Sequence, residues 1–449
     1  MTGVPRCALL LAPAFAALAQ QTPFTLARAV QEAVEKYPAT RVSLEQVGAA
    51  AASVRLVRTS YLPRADLLAQ VNRATRNNVF GLMLPQPVLP AISGPVLNTN
   101  NLSSVWGSAV GVLVSWEPFD FGLRRANVYT AEAARRHAEA GVASTRLEVA
   151  TAAADAFLTV LAAEQALRSA RAAVERAQAL ERSVAALVEA QLRPGADASR
   201  ARAERAQAEI QTAQAEQAAG VARAALSQLL AVEPSSILLD PGPLLSQPAA
   251  QPAPAEKFAE HPQAREQSAA VDEAKLRWKA LERSYFPRFN LEAASYARGT
   301  HGGAAGGLAP DVQNWAVGMT VTFPVLELPA LHAKKEVEAH RELAEEARYR
   351  QLLQDLTARG ERAKAYLDGA RKVADCTPVA LHAAQATFQQ AGARYRAGLG
   401  VIVEVAEAQR LLTQAEIDDS LARLNVWRAW LGAAAAVGDL EPFLRAAEK

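Results

Sequence analysis

The chain has 449 residues, 50% of them hydrophobic, and its 48 Lys and Arg residues nearly balance 46 Asp and Glu residues. This composition can supply a large core, and a length prior alone suggests two or three domains. A net charge of +2 provides no strongly basic surface of the kind that binds nucleic acid.

The N-terminal residues have the features of a secretory signal peptide. Arg6 precedes an apolar run, and Ala17-Leu18-Ala19 has the small residues of a cleavage site. The run is shorter than the roughly 20 apolar residues that a membrane helix needs. We therefore expect residues 1–19 to be removed on export. Cys7 would leave with them, and the single remaining cysteine, Cys376, could form no intrachain disulfide.

The sequence after the leader consists of two repeats. Matching segments keep register between the halves: SYLPRADL at 60 and SYFPRFNL at 284, Pro38 and Pro262, Val110-Gly111 and Val317-Gly318, and QAEI at 207 and 414. The offset is 224 residues for the first two pairs and 207 for the others. The first half therefore has 17 extra residues, which lie between Ser60 and Val110.

The repeats predict the domain organisation. Each has the order helix, β-hairpin, very long helix and helix, with the hairpins at about 60–119 and 284–325. A Pro-rich connector cannot continue a helix and separates the halves. The predicted segments are a signal peptide at 1–19, a first repeat at 20–240, the connector at 241–257, a second repeat at 258–440 and a tail at 441–449.

Two very long helices dominate this organisation. We predict one from Leu123 to Glu189 and another from about Ala330 to Arg396, each about 100 Å long at 1.5 Å per residue. Apolar residues spaced by seven indicate coiled-coil packing, at Val160, Leu167 and Val174 and again at Ile417, Leu424 and Leu431. Pro378 and nearby Gly369 should kink or loosen the second long helix.

The hairpins have alternating strands whose apolar faces end in aromatic residues. Trp106 and Trp116 bound one such face, and Trp315 and Phe323 bound its counterpart in the second half. Ten residues at about 3.3 Å each, tilted by about 40 to 45°, separate the rings of Trp106 and Trp116 by roughly 25 Å, the height of the apolar band of a transmembrane barrel. We expect these four aromatic residues to form a membrane girdle. A sheet lying on a soluble core is the alternative.

Outside the leader no apolar stretch predicts a transmembrane helix, so a membrane role requires these strands. Four strands cannot close a barrel around a water-filled lumen, and open edges in lipid would leave backbone groups unpaired. Three chains would supply twelve strands. The predicted fold class is an α+β membrane protein that combines a long α-helical coiled-coil barrel with a transmembrane β-barrel, four strands per chain and twelve in a trimer.

The chain resembles the TolC-type outer-membrane efflux proteins over nearly all of the sequence after the leader. The resemblance rests on the doubled Tyr-apolar-Pro phrase at Tyr61 and Tyr285, on PFDFG at Pro118–Gly122 and on ARYRAGLGVIVEVAEAQ in the second half. It implies a homotrimer in the outer membrane that extends into the periplasm, contacts outer-membrane lipid and needs no cofactor. It also implies an exit duct for tripartite efflux or type I secretion, working with a periplasmic adaptor and an inner-membrane pump of the RND, ABC or MFS type. The second half departs from the family pattern, with PVLELP in place of PFDFG.

Candidate gate residues follow the break after the second long helix. Glu404 and Glu407 share one face of a helix start, and a trimer would repeat each as a ring of three carboxylates that favours cations. The resemblance places acidic closure at these positions and pairs Asp197 with Tyr395. Gly400 stands where an Arg can help lock the closed state of the family. The alternative for the two Glu residues is an ordinary helix N-terminus on a solvated face.

Short turns separate each long helix from the next one. The resemblance implies that adaptors dock on them, although exposed turns rich in Gly and Pro can also be plain connectors. The turn residues are Leu192, Arg193, Pro194 and Gly195 in the first half, and Gly398, Leu399 and Gly400 in the second.

An enzyme and a scaffold are the rival classes. The six His residues form no HExxH motif or close ligand cluster, and the sequence contains no P-loop or nucleophile elbow. We therefore predict no enzymatic activity and no metal. A periplasmic coiled-coil scaffold without a channel would explain the helices but would leave the Trp-bounded alternation unexplained.

Overall fold

The computed structural model describes residues 23–75, 103–248, 258–301 and 304–448. Three predictions concern residues outside these ranges: the leader at 1–19, the 17 extra residues of the first hairpin loop, and most of the connector at 241–257. Among the described residues, no helix has both the length and the apolar composition needed to cross a membrane.

Most of the chain is helical, and two pairs of strands interrupt the helices. The helices are α1 (Leu26–Lys36), α2 (Pro38–Arg58), α3 (Leu123–Glu189), α4 (Gly195–Leu230), α5 (Pro262–Arg283), α6 (Ala304–Gly307), α7 (Leu328–Arg396), α8 (Ile402–Val437) and α9 (Glu441–Ala447). The strands are β1 (Arg64–Thr75), β2 (Ser104–Phe119), β3 (Arg288–His301) and β4 (Val312–Thr322). The predicted fold class, long helices with four strands per chain, is confirmed.

The chain forms two compact units, and each takes residues from both repeats. One unit comprises Met1–Tyr37, Glu148–Pro254 and Glu361–Lys449, and its packed residues include Phe157, Trp427 and Phe443. The other comprises Pro38–Leu147 and Ala255–Gly360 and contains the β-sheet.

The second long helix continues through Pro378 without an assigned break. Proline lacks the N–H that would bond to the carbonyl of Ala374 four residues earlier. The hydroxyl of Thr377 lies 3.4 Å from that carbonyl oxygen and 3.1 Å from Asp419 Oδ1, so it can donate to either acceptor. A local donor thus stands next to the carbonyl that the proline leaves without its usual partner.

The four strands form one antiparallel sheet in the order β1-β2-β3-β4. Cross-strand register aligns Leu67 with Val112, Trp116 with Leu291, and Leu291 with Met319, so the apolar residues of all four strands share one face. Many side chains of this face are exposed: Leu67, Val71, Val110, Val112, Trp116, Leu291, Trp315, Val317, Met319, Val321 and, just beyond β4, Phe323. The sheet thus presents a broad apolar surface that the described residues leave largely uncovered.

Trp106 lies on the same face but is less exposed than these residues. Gly307 of the short helix α6 packs so closely that an added Cβ would lie 2.4 Å from the Cβ of Trp106. The backbone of Ala309 packs in the same way against Gly299, the strand partner of Ser108. Residues around α6 therefore cover this corner of the apolar face and leave Trp106 half-buried.

The repeated Ser-Tyr phrase joins helix to strand. After α2, a short 3-10 turn (Thr59–Tyr61) and Pro63 lead into β1. The indole N–H of Trp116 donates to the Tyr61 carbonyl at 3.1 Å, and Arg124 donates to the Ser60 carbonyl at 3.1 Å. Asp120 of PFDFG accepts from the backbone N–H of Arg124 at 2.6 Å and also pairs with its guanidinium, which caps the start of α3.

Candidate functional site

The turns after α3 and α7 have the same backbone geometry. In the second, the N–H of Leu399 bonds to the Arg394 carbonyl at 2.9 Å and that of Gly398 bonds to the Tyr395 carbonyl at 3.1 Å. These two bonds define a Schellman cap, which requires a left-handed residue after the helix. Gly398 meets this requirement with a φ of 80°.

The first turn has the same cap, but a residue other than glycine takes the left-handed position and is strained there. Leu192 bonds to the Leu187 carbonyl and Gln191 to the Val188 carbonyl, both at 2.9 Å. Gln191 aligns with Gly398 in the repeat and adopts a φ of 61°, where a Cβ is unfavourable. The two halves therefore build the same turn from different residues.

A small apolar cluster supports both turns. Tyr395 and Val184 are among its fully buried members, which also include Ala201, Ala391, Ile402, Val405 and Ala408. The residues come from α3, α4, α7 and α8, so the cluster joins the ends of four helices. The packing of this cluster fixes the position of Tyr395, which makes the polar contacts described next.

Tyr395 is bonded to Asp197 within this cluster. The Tyr395 hydroxyl donates to Asp197 Oδ2 at 2.9 Å, which ties the end of α7 to the first turn of α4. Burial of the ring raises the pKa of Tyr395 to about 12, and the hydrogen bond to the Asp197 carboxylate adds to this effect. The hydroxyl therefore remains a proton donor throughout the physiological pH range.

Arg193 makes a second link to the same tyrosine. Its guanidinium donates to the Tyr395 carbonyl at 2.6 Å and lies 4.4 Å from the centroid of the ring. The first turn is thereby joined to the end of α7 by both a hydrogen bond and a cation–π contact. Arg193 aligns with Gly400 in the repeat, so only the first of the two turns has an arginine at this position.

Glu404 and Glu407 differ in their electrostatic surroundings. Glu404 lies in the first turn of α8, with Arg394 3.9 Å away, and half of its side chain is exposed. Glu407 is 75% exposed and lies 3.9 Å from Arg410. Arg410, however, makes its shorter bonds to Glu204, at 2.8 and 3.0 Å. Glu407 is consequently the less compensated of the two carboxylates.

The comparisons with known proteins identify the family. Residues 29–232 and 254–439 match the family model described as outer membrane efflux protein. The chain belongs to this family.

Solved structures of low sequence identity share the fold. A membrane protein from Pseudomonas aeruginosa is 19% identical, with 92% of each chain covered and a TM-score of 0.77. The CmeC outer membrane channel of Campylobacter jejuni is 15% identical, with 92% of this chain and 85% of CmeC covered and a TM-score of 0.75. The open state of the MtrE outer membrane channel of Neisseria gonorrhoeae is 20% identical, with 92% and 89% covered and a TM-score of 0.73. No curated protein sequence matches the chain.

In this outer membrane efflux protein, the predicted gate and turn residues lie on or near the two turns that follow α3 and α7. The structure brings Asp197 and Tyr395 into direct contact, whereas Glu404 lies near Arg394 and Glu407 lies near Arg410. Leu192 and Leu399 are about three-quarters exposed on their turns. Sequence reasoning assigned Arg193 to the exposed turn and missed its contact with Tyr395. The alignment of Arg193 with Gly400 was the signal that could have revealed it.

In the described ranges, no group of three or more His, Cys, Asp or Glu side chains is arranged to hold a metal ion. The outer membrane efflux protein family, to which the chain belongs, is a family of transport ducts.

Proposed function

We propose that three copies of this chain form the outer-membrane exit duct of a tripartite efflux or type I secretion system. The observation that carries the proposal is the exposed apolar face that runs across all four strands of the sheet. Such a face is suited to lipid, because it would be costly to leave it in water. The helices would extend the duct into the periplasm.

The need for several chains follows from the edges of the sheet. Among the described residues, β1 and β4 each pair on one side only. Backbone groups without partners cost several kcal/mol each in hydrocarbon, so a lipid-embedded sheet must close. Pairing β4 of one chain with β1 of the next gives a closed barrel, and three chains supply the twelve strands that we propose.

The helix turns are proposed as the periplasmic aperture. Tyr395, Asp197 and Arg193 would hold adjacent helices in the closed arrangement, because each contact would have to break if these ends separated. Glu404 and Glu407 would line the opening as rings of three carboxylates, which favour cations. Glu407 should dominate this preference, because Arg410 is engaged by Glu204.

Conductance tests the aperture. Purified trimers in planar bilayers should form channels, and Glu407→Gln should reduce cation preference more than Glu404→Gln. Glu441→Gln, an exposed carboxylate on the short helix α9, is the matched control and should leave selectivity unchanged. Absence of a channel would contradict the duct. A channel whose selectivity ignores both aperture substitutions would contradict the gate alone.

We also propose that the turns contact a periplasmic adaptor, which couples the duct to an inner-membrane pump of the RND, ABC or MFS type. The exposed side chains of Leu192 and Leu399 support this, since exposed apolar tips are typical of docking surfaces. Cysteines placed at these two positions should cross-link to the adaptor. Cys376 is exposed and must be replaced by Ser beforehand, with a cysteine at Tyr366 on α7 as the off-turn control. Equal capture from all three positions would argue against docking at the turns.

A periplasmic scaffold without a channel is the remaining alternative. It would keep the coiled-coil helices but would have no use for the exposed apolar sheet. Fractionation distinguishes the two functions, because the duct must sediment with outer membranes and resist extraction by high salt.

A further inference from the structure

A groove between α5 and α7 lies next to the sheet and has an unusual lining. Its volume is about 850 Å³, which falls in the range of small-molecule sites. Trp278, Tyr285 and Phe286 supply its aromatic surface. The other polar lining residues are Glu282, Arg283, His332, Lys335 and Glu336.

The groove is continuous with the apolar face of the sheet. Phe286 stacks on Phe121 with the ring centroids 5.4 Å apart, and Phe121 lies 4.6 Å from Phe119 and 6.2 Å from Phe289. Phe289 pairs with Val321 in the register that contains the exposed apolar residues. An apolar chain lying on the sheet could therefore reach the groove over an uninterrupted aromatic surface.

One cation of the groove has no ion-pair partner among the described residues. Lys335 bonds to Glu282 at 2.9 Å and lies 4.5 Å from the centroid of the Trp278 ring. His332 lies 3.6 Å from Glu336. Arg283 has no ion-pair partner among the described residues, and its guanidinium lies 6.0 Å from the centroid of the Phe286 ring. A free guanidinium beside an aromatic surface is suited to a phosphate carried on an apolar molecule.

We propose that this groove binds the headgroup of an anionic phospholipid, with Arg283 contacting the phosphate and an acyl chain lying over Phe286 and Phe121. The inference rests on the proposed function, because it requires the sheet to lie in a bilayer. The unpaired guanidinium of Arg283 and the continuity of the groove with the apolar face together favour a lipid over a free anion, which would use Arg283 but not the aromatic surface. Trp and Tyr at the groove match the preference of these residues for membrane interfaces.

Native mass spectrometry of full-length trimers released from nanodiscs tests the proposal. The nanodiscs contain phosphatidylcholine with or without phosphatidylglycerol, and the lipids retained per trimer are counted. The wild-type protein should retain phosphatidylglycerol preferentially. Arg283→Gln should weaken that preference about fivefold, the effect of one basic residue near an anionic membrane surface. Arg288→Gln is the matched control, because Arg288 is also exposed but belongs to the other face of β3.

The outcomes separate this inference from the proposed duct. Equal retention of both lipids by the wild type, or the same preference in Arg283→Gln, would overturn the lipid site. Release of the bound lipid by inorganic phosphate alone would also overturn it, since the site would then recognise a free anion. The trimer mass in the same spectra shows whether the variant is folded. Failure of the protein to enter nanodiscs would instead refute the proposed function.

Discussion

The bond between Tyr395 and Asp197 offers the sharpest test of the closed arrangement. Tyr395→Phe removes the hydroxyl but keeps the ring, so the packing of the cluster and the contact with Arg193 remain. A hydrogen bond to a charged group contributes about 1.5 to 3 kcal/mol. Because Tyr395→Phe removes this contribution only in the closed state, the ratio of closed to open conformations should fall by about 10- to 150-fold for each copy, and by more where three copies open together.

Single-channel recording in planar bilayers measures this shift as an increase in open probability. Tyr366→Phe is the matched control, since Tyr366 lies on the same helix and is largely exposed. Asp197→Ala should open the channel to a similar degree, and the double variant should add little to either single change, as expected for two residues sharing one interaction. An unchanged open probability in Tyr395→Phe, or fully additive effects in the double variant, would refute the reasoning.

The pH dependence of this bond follows from the raised pKa. Because the folded-state pKa of about 12 exceeds the unfolded value of about 10, the stabilisation is fully present below about pH 10 and is lost as pH rises through about 12. Tyr395 should therefore contribute no change in open probability between mildly acidic and mildly alkaline solution. Any pH response in that range must come from other groups.

Three further predictions concern stability and trimer formation. Gln191→Gly should raise the free energy of unfolding by about 0.5 to 1 kcal/mol by relieving the left-handed backbone, whereas Gly398→Ala should lower it by about 1 kcal/mol, as chemical denaturation would show. The hydrogen bond that the His137 ring donates to the Glu273 carboxylate raises the pKa of His137, so this bond stabilises fully below about pH 6.5 and is lost as pH rises through the raised pKa. Wild type and His137→Gln should then differ by about 1 kcal/mol in acid and converge in alkali, because His137 is partly exposed; a pH-independent difference would contradict this. Gly111→Val should prevent trimer formation, since a Cβ there would lie 2.3 Å from the Cβ of Tyr296 across the strand pair, and recovery of normal trimer on gel filtration would disprove the packing.

The sequence predicted the limits of the long helices well, because strong local signals mark them. The first helix runs from Leu123 to Glu189 as predicted, between the turn at Gly122 and the break before Pro194. The second begins at Leu328, two residues before the predicted Ala330. Pro329 explains the difference, since proline is tolerated in the first turn of a helix, where its missing N–H would have had no partner.

Long-range contacts between turns could not be predicted in this way. No periodicity connects Arg193 with Tyr395, because they lie on different repeats and meet only when four helix ends pack together. The pair of Tyr395 with Asp197 was anticipated from the family resemblance. The aromatic groove at Phe286 escaped notice because each of its rings is unremarkable in its own segment and becomes a surface only through stacking.

The two half-paired strands at the ends of the sheet also determine the order of events in assembly. β1 and β4 have 12 and 11 residues, and each leaves one row of backbone groups unpaired by the described part of its own chain. A single chain entering a bilayer would carry both rows into hydrocarbon without partners. Association should therefore precede or accompany insertion, and the rate of insertion into vesicles should rise more steeply than in direct proportion to protein concentration.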